Sequence, residues 1–152
     1  MRIARVLSAI ILPCLVAGAQ APGKERAEKL VKAAISFAQK NSMEKLIQQT
    51  NQADGRFHVG SGSELYIFIY DQAGVCKAIG FDTQALVGKN RLAFKDPDGK
   101  PYVRDLITLA KTQGHGWIDY KKPNPLSHKI EAKTSYVELV EGLVIGAGVY
   151  KE

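Results

Sequence analysis

Apolar residues recur at helical spacing near the start of the chain. Over residues 24–40, Ala27, Leu30, Val31, Ala34, Ile35 and Ala38 repeat at intervals of three and four. Lys24, Glu25, Lys29, Lys32, Gln39 and Lys40 fill much of the other side. The spacing predicts an amphipathic helix with one buried stripe. Asn41 then breaks the pattern and is expected to cap a second helix, with Glu44 reaching back as in a capping box. Met43, Leu46 and Ile47 form the apolar stripe of that shorter helix, which is expected to end near Thr50. Residues 51–55 and 60–63 read as loops on their Asp-Gly and Gly-Ser-Gly-Ser composition.

The period then changes from helical to strand-like. Residues 65–71 read Leu-Tyr-Ile-Phe-Ile-Tyr-Asp, which predicts a strand. Tyr66, Phe68 and Tyr70 point one way, and Leu65, Ile67 and Ile69 the other. Both faces are apolar, so the strand is expected in the interior of a sheet covered on both sides. Gln72-Ala73-Gly74 turns the chain, and residues 75–81 return as a hairpin partner. Asp96-Pro97-Asp98-Gly99 is a second turn. Pro101 follows at a helix start, where its missing N–H costs nothing. Val103, Leu106, Ile107, Leu109 and Ala110 make the apolar face of a helix over about 101–112, left through Gly114 or Gly116. Residues 117–121, 131–138 and 143–149 finish the chain as an antiparallel meander, with Pro123 and Pro125 in the first connection. One antiparallel sheet carrying helices is an α+β domain, here with the long N-terminal helix packed on one face.

The first 21 residues have a separate logic. Arg2 and Arg5 precede an apolar run over residues 6–16, and Ala19-Gln20-Ala21 fits the small-x-small pattern before a cleavage site. The run is shorter than the roughly 20 residues of a membrane span. The reading is therefore a signal peptide over 1–21 cleaved after Ala21, a domain over 22–152, and a periplasmic or secreted protein without a membrane span. An uncleaved anchor is the alternative. Removing the leader leaves Cys76 as the only cysteine, so no internal disulfide is expected and the fold must rest on its core. It also lowers the formal charge from +6 to +4. That balance suits an anionic small ligand or an acidic partner as well as it suits scattered solubilising lysine. Nucleic acid is not an expected partner outside the cytoplasm.

Several segments occur together in a distinctive order. An aromatic strand ends in Asp71 and is followed by Gly74. Val87-Gly88-Lys89-Asn90 leads to Asp96-Pro97-Asp98-Gly99-Lys100 and a helix. Gly116-Trp117-Ile118-Asp119-Tyr120, Pro123-Asn124-Pro125, Lys133-Thr134-Ser135-Tyr136 and Gly146-Ala147-Gly148-Val149-Tyr150 follow. In this order, over the whole mature chain, they resemble the single Cache domain, an extracytoplasmic sensor module of bacterial receptors. The resemblance implies a Cache/PAS-like central antiparallel sheet and a site for a small organic ligand. It implies no chemistry. Two positions depart from the pattern. Ile79 stands where related sequences often carry histidine, and Lys122 where they often carry tryptophan, so the family's ligand preferences need not carry over.

The resemblance makes Lys133 the leading ligand-binding candidate. Its ammonium would pair with a ligand carboxylate in a semi-enclosed pocket, where screening is weak. Periodicity alone would make it a solvent-facing lysine on a half-exposed strand. Tyr120 and Tyr136 offer hydroxyls on apolar bodies, and equally fit the core. Trp117 would be a pocket wall or core, and Tyr70 joins the set from the aromatic strand. Lys133 and Tyr136 are three apart, so in a regular strand they face opposite sides unless a bulge re-aims one. The expected cavity lies on the sheet face away from the long helix, closed by residues 80–98 and the helix at Pro101.

No cofactor, metal site or catalytic residue is expected. His58, His115 and His128 are far apart and lack helical pairing. Pro97 and the missing glutamate at the twelfth position argue against a calcium loop at Asp96. Cys76 has no base beside it in sequence, and Gly60-Ser61-Gly62 is not a nucleophile elbow. The expected function is an exported, free-standing sensor domain that binds a short organic carboxylate and signals through a partner. The alternative is a ligand-free adaptor or accessory subunit of a membrane sensor or redox complex. A small hydrolase ranks third.

Overall fold

The computed structural model describes residues 22–151, so the leader expected over residues 1–21 lies outside the described residues. Helix α1 (Pro22–Lys40) begins two residues before the periodic stripe does. Proline suits a first helical turn, whose N–H groups lack partners in any case. Gly23 is there for proximity, since a Cβ on it would stand 3.3 Å from Cγ2 of Val149. Ala27, Val31, Ala34 and Ile35 are buried against Ile67, Ile69, Ile145, Ala147 and Val149. Each fully buried valine or isoleucine side chain contributes about 1.5–3 kcal/mol relative to exposure.

Helix α2 (Met43–Asn51) is capped by Ser42, one residue later than expected. The Ser42 Oγ accepts from the Lys45 N–H at 3.0 Å. Asn41 instead closes α1, its Nδ2 donating to the Phe37 carbonyl at 2.9 Å. Serine and asparagine are comparable caps, and the sequence does not separate two adjacent ones.

Strands β1 (Ile67–Asp71) and β2 (Cys76–Ile79) form the first hairpin; β1 starts two residues later than predicted and ends at Asp71 as predicted, and β2 is shorter at both ends. The Asp71 carboxylate accepts from the N–H groups of Ala73 and Val75 and shapes the turn. A one-turn helix, α3 (Thr83–Leu86), follows where no helix was expected. Helix α4 (Tyr102–Gln113) has Pro101 at its cap and ends at Gly114, whose φ of 81° continues the chain at little steric cost. Strands β3 (His115–Pro123), β4 (Ile130–Val140) and β5 (Leu143–Tyr150) complete the sheet.

The strand order is β2-β1-β5-β4-β3, antiparallel throughout. β1 is an interior strand, and its two faces feed two separate cores. Ile67 and Ile69 pack under α1 and α2, while Tyr66, Phe68 and Tyr70 pack with α4 on the other face. The sheet therefore lies between α1 with α2 and α4 with its preceding loops. Among the described residues no helix is long and apolar enough to cross a membrane.

Candidate functional site

A cavity of about 800 Å³ opens on the α4 side of the sheet. The stretch from Phe81 through α3 to Pro97 covers it, with Tyr102 from the start of α4 and Lys122 from β3. Its size falls in the range of small-molecule pockets, about 300–1,000 Å³. Phe94 and Ile130 stand at its margin and are among the few large apolar side chains left exposed.

Lys133 lies one side-chain layer behind this cavity. It is fully buried, and its Nζ has no hydrogen-bond partner among the described residues. The ammonium sits 3.9 Å from the centre of the Tyr66 ring and 4.7 Å from that of Tyr150. Burial, then the nearby Lys122, holds its pKa well below the ordinary lysine value. The solvent-facing alternative for Lys133 is thereby overturned. It does not line the cavity directly, however. Tyr66 stands between, packed on the cavity wall at Phe81 with ring centres 4.4 Å apart. The Tyr66 hydroxyl is also buried and makes no hydrogen bond among the described residues, although the Tyr150 hydroxyl is near enough to act on it.

The sheet explains how a lysine reaches this place. β4 runs without a bulge from Lys133 to Tyr136, paired residue for residue with β5 from Tyr150 back to Ala147. Alternation then puts Lys133, Ser135 and Val137 on the α4 face and Tyr136 on the α1 face. Tyr136 accordingly packs with the α1 core, beside Trp117 at 5.4 Å between ring centres. Its hydroxyl donates to Glu138, and the Lys32 ammonium of α1 stands 5.7 Å from its ring. Trp117 likewise faces α1, under the ammonium of Lys24. These two candidates do not share a pocket with Lys133, because the strand period separates them.

Tyr120 and Tyr70 are on the cavity face. Tyr120 stacks on Tyr102 with ring centres 4.4 Å apart and planes 2° from parallel. Its hydroxyl bonds Ser135 Oγ at 2.9 Å. Tyr120 thus braces Tyr102, which does line the cavity. Tyr70 is buried beside Phe68, and burial raises its pKa strongly.

Two further cations line this cavity; the sequence reading noted Lys122 only as a departure from the family pattern and did not single out Arg91. Lys122 follows Ile118 and Tyr120 along the inward face of β3. Its Nζ stands 5.4 Å from the Phe81 ring and 5.6 Å from that of Tyr66. Lys122 is half-buried; loss of water around its amine, then Arg91, pushes its pKa down to about 8. Arg91 stacks over Phe94 at 3.8 Å and makes a long 3.5 Å contact to the Tyr102 hydroxyl, while its Nε is buried without a hydrogen-bond partner among the described residues. The usable signal for Lys122 was the length of β3: a strand reaching Pro123 turns this lysine inward.

Asp96 organises the floor. One carboxylate oxygen accepts from the N–H groups of Asp98 and Lys100, and the other from that of Lys121. Burial alone would raise its pKa, but these donors outweigh it and the pKa is lowered. The Asp96 turn is thereby tied to β3. Cys76 is buried and its thiol is pushed up to about 11, chiefly by burial. That keeps it protonated, as a core residue.

The Cache domain family matches residues 57–152. A 60-residue stretch is 40% identical to the methyl-accepting chemotaxis protein McpP of Pseudomonas putida, covering 38% of this chain and 11% of that protein. A 92-residue stretch is 36% identical to the sensor histidine kinase MctS of Rhizobium johnstonii, covering 59% of this chain and 19% of that protein. The chain thus spans under a fifth of the length of either relative. Among solved structures, a Cache chemosensory domain described for carboxylic acid recognition superposes with a TM-score of 0.69 at 24% identity, over 85% of this chain and 93% of that one. The match over more than half of the residues, on a five-stranded antiparallel sheet flanked by helices, places this chain in the Cache domain family of sensor domains.

Proposed function

We propose that this Cache domain binds a small organic carboxylate between the sheet and α4 and passes its occupancy to a signalling partner. The observation that carries this reading is the Lys133 ammonium, buried without an acceptor behind an open cavity. A buried amine without an anion is costly, and a ligand carboxylate supplies the missing acceptor. The Tyr66 hydroxyl, also unpaired, is the second donor to that carboxylate. Lys122, which lines the cavity, stands 5.6 Å from the same ring. Tyr120 and Tyr70 support this aromatic wall rather than touch the ligand. Carboxylic acid recognition by the superposed Cache chemosensory domain agrees with this ligand class.

The chemotaxis protein and the histidine kinase related to this chain point to signal transduction as its setting. In this reading the protein is exported, loses residues 1–21, and docks on a membrane sensor or a redox complex. Mass measurement of the native protein should find a chain beginning at Pro22; full-length protein in the membrane fraction would overturn the export reading.

The binding test is calorimetry with short mono- and dicarboxylates on the wild type and Lys133→Met. Loss of a charged hydrogen bond is worth about 1.5–3 kcal/mol, so affinity should fall roughly ten- to a hundredfold or more. The ligand-free variant should be at least as stable as the wild type, since methionine keeps the stem and removes the buried amine. Unchanged affinity in Lys133→Met would sink the assignment. A wild type that binds no carboxylate would sink the ligand class.

A further inference from the structure

Resting on the carboxylate reading, we propose that the ligand carries two anionic groups, as a short dicarboxylate does, one held by Lys133 and Tyr66 and the other by Lys122 and Arg91. The charge inventory leads there. Lys133 and Lys122 approach the same ring, with ammonium groups 3.9 and 5.6 Å from the centre of Tyr66. Arg91 lines the same cavity as Lys122. None of the three forms an ion pair among the described residues, whereas Lys121 beside them is paired with Asp98 at 2.9 Å.

The carboxylates nearby do not fill this deficit. Glu64 attracts the Lys133 ammonium, but more weakly than burial and Lys122 act against it, and its carboxylate accepts from Asn124 Nδ2 without forming an ion pair with the lysine. Asp96 lines the cavity, but both its oxygens accept backbone N–H groups. Asp82 is exposed at the margin, and its pull on Lys122 is the weakest of the influences on that amine. The cations also sense one another: Arg91 lowers the pKa of Lys122, and Lys122 that of Lys133. One carboxylate at Lys133 leaves Lys122 and the buried Arg91 Nε without an acceptor. A second anionic group supplies it and separates two like charges that now share one aromatic ring. Arg91 adds a planar fork suited to a carboxylate, and the cavity of about 800 Å³ leaves room for both ends of such a ligand.

The test compares succinate with butyrate, which match in carbon number and differ in one carboxylate, by calorimetry on the exported chain. The wild type should bind succinate at least about tenfold more tightly, the effect of one charge-assisted contact. Lys122→Met should abolish that preference, so that succinate and butyrate bind the variant equally, whereas Lys133→Met should weaken both ligands relative to the wild type. Equal or tighter binding of butyrate by the wild type overturns the two-anion ligand and leaves the carboxylate reading standing. Failure to bind either overturns both. A succinate preference that survives in folded Lys122→Met removes Lys122 from the second site. The wild-type comparison needs no variant, so poor folding of either variant does not decide the outcome.

Discussion

Lys133 lies across Gly148. A Cβ on Gly148 would stand 2.9 Å from Lys133 Cε, and it would also collide with Ser135 Oγ and the Thr134 carbonyl. The lysine stem therefore crosses β5 through the space of a missing side chain and reaches Tyr66, just before β1. A buried lysine on β4 and a glycine on β5 form one device, which carries an amine across the sheet from its own strand.

Gly148→Ala should accordingly cost stability and binding together. Overpacking a tight site costs roughly 1–3 kcal/mol. A urea unfolding curve should show a lower midpoint, and carboxylate affinity should fall as Lys133 is displaced. A variant with wild-type midpoint and affinity would show that the lysine does not depend on this gap.

The bond between Tyr120 and Ser135 predicts non-additive losses. Both side chains are buried, and each would be the other's orphan. Ser135→Ala should destabilise by about 1–3 kcal/mol, because the tyrosine hydroxyl is left unsatisfied. Tyr120→Phe should cost less in the double variant than alone. Strict additivity in a double-mutant cycle would remove this bond from the account.

Lys122 predicts an alkaline trend. Its folded pKa, about 8, lies below the ordinary lysine value of 10.5. Between these values the unfolded chain binds more protons than the folded one, so stability contributed here rises with pH. The wild type should therefore gain on Lys122→Met between pH 8 and pH 10, read as the difference in urea midpoints. A constant difference across that window would refute the depressed pKa.

Asp96 predicts the opposite end of the scale. Its folded pKa is lowered, so its contribution is fully present above the ordinary aspartate range and is lost as pH falls through the folded value. Asp96→Ala should lower stability at neutral pH and have a smaller effect in strong acid. An equal loss at both pH values would mean that its three backbone bonds do not depend on the charge.

The long period-3.6 stripe of α1 and the aromatic alternation of β1 were legible because many residues repeat one signal. The α4 helix was legible through its proline start and glycine exit. Single-residue choices were not. Ser42 and Asn41 compete for one cap, and α3 is one turn with no room for periodicity. In the candidate site, the family resemblance singled out Lys133, which periodicity alone would have left facing solvent, whereas Tyr136 and Trp117 belonged to the other face by simple alternation. Lys122 was hidden because Lys-Lys-Pro looks like loop. It is strand because β3 is an edge strand, where Pro123 leaves no ladder bond unmade.

The position of β5 governs how this protein comes together. It is the last strand in sequence and lies between β1 and β4. Until it docks, the β1–β2 hairpin and the β3–β4 hairpin share no ladder, and each shows an unpaired apolar edge. Assembly therefore waits on contacts between residues 67–71 and 143–147, across most of the domain. Such long-range closure slows folding relative to local pairing. It also means that the site is completed late: Lys133, Gly148 and Tyr150 meet within the β4–β5 hairpin, but Tyr66 joins them only when β5 closes onto β1.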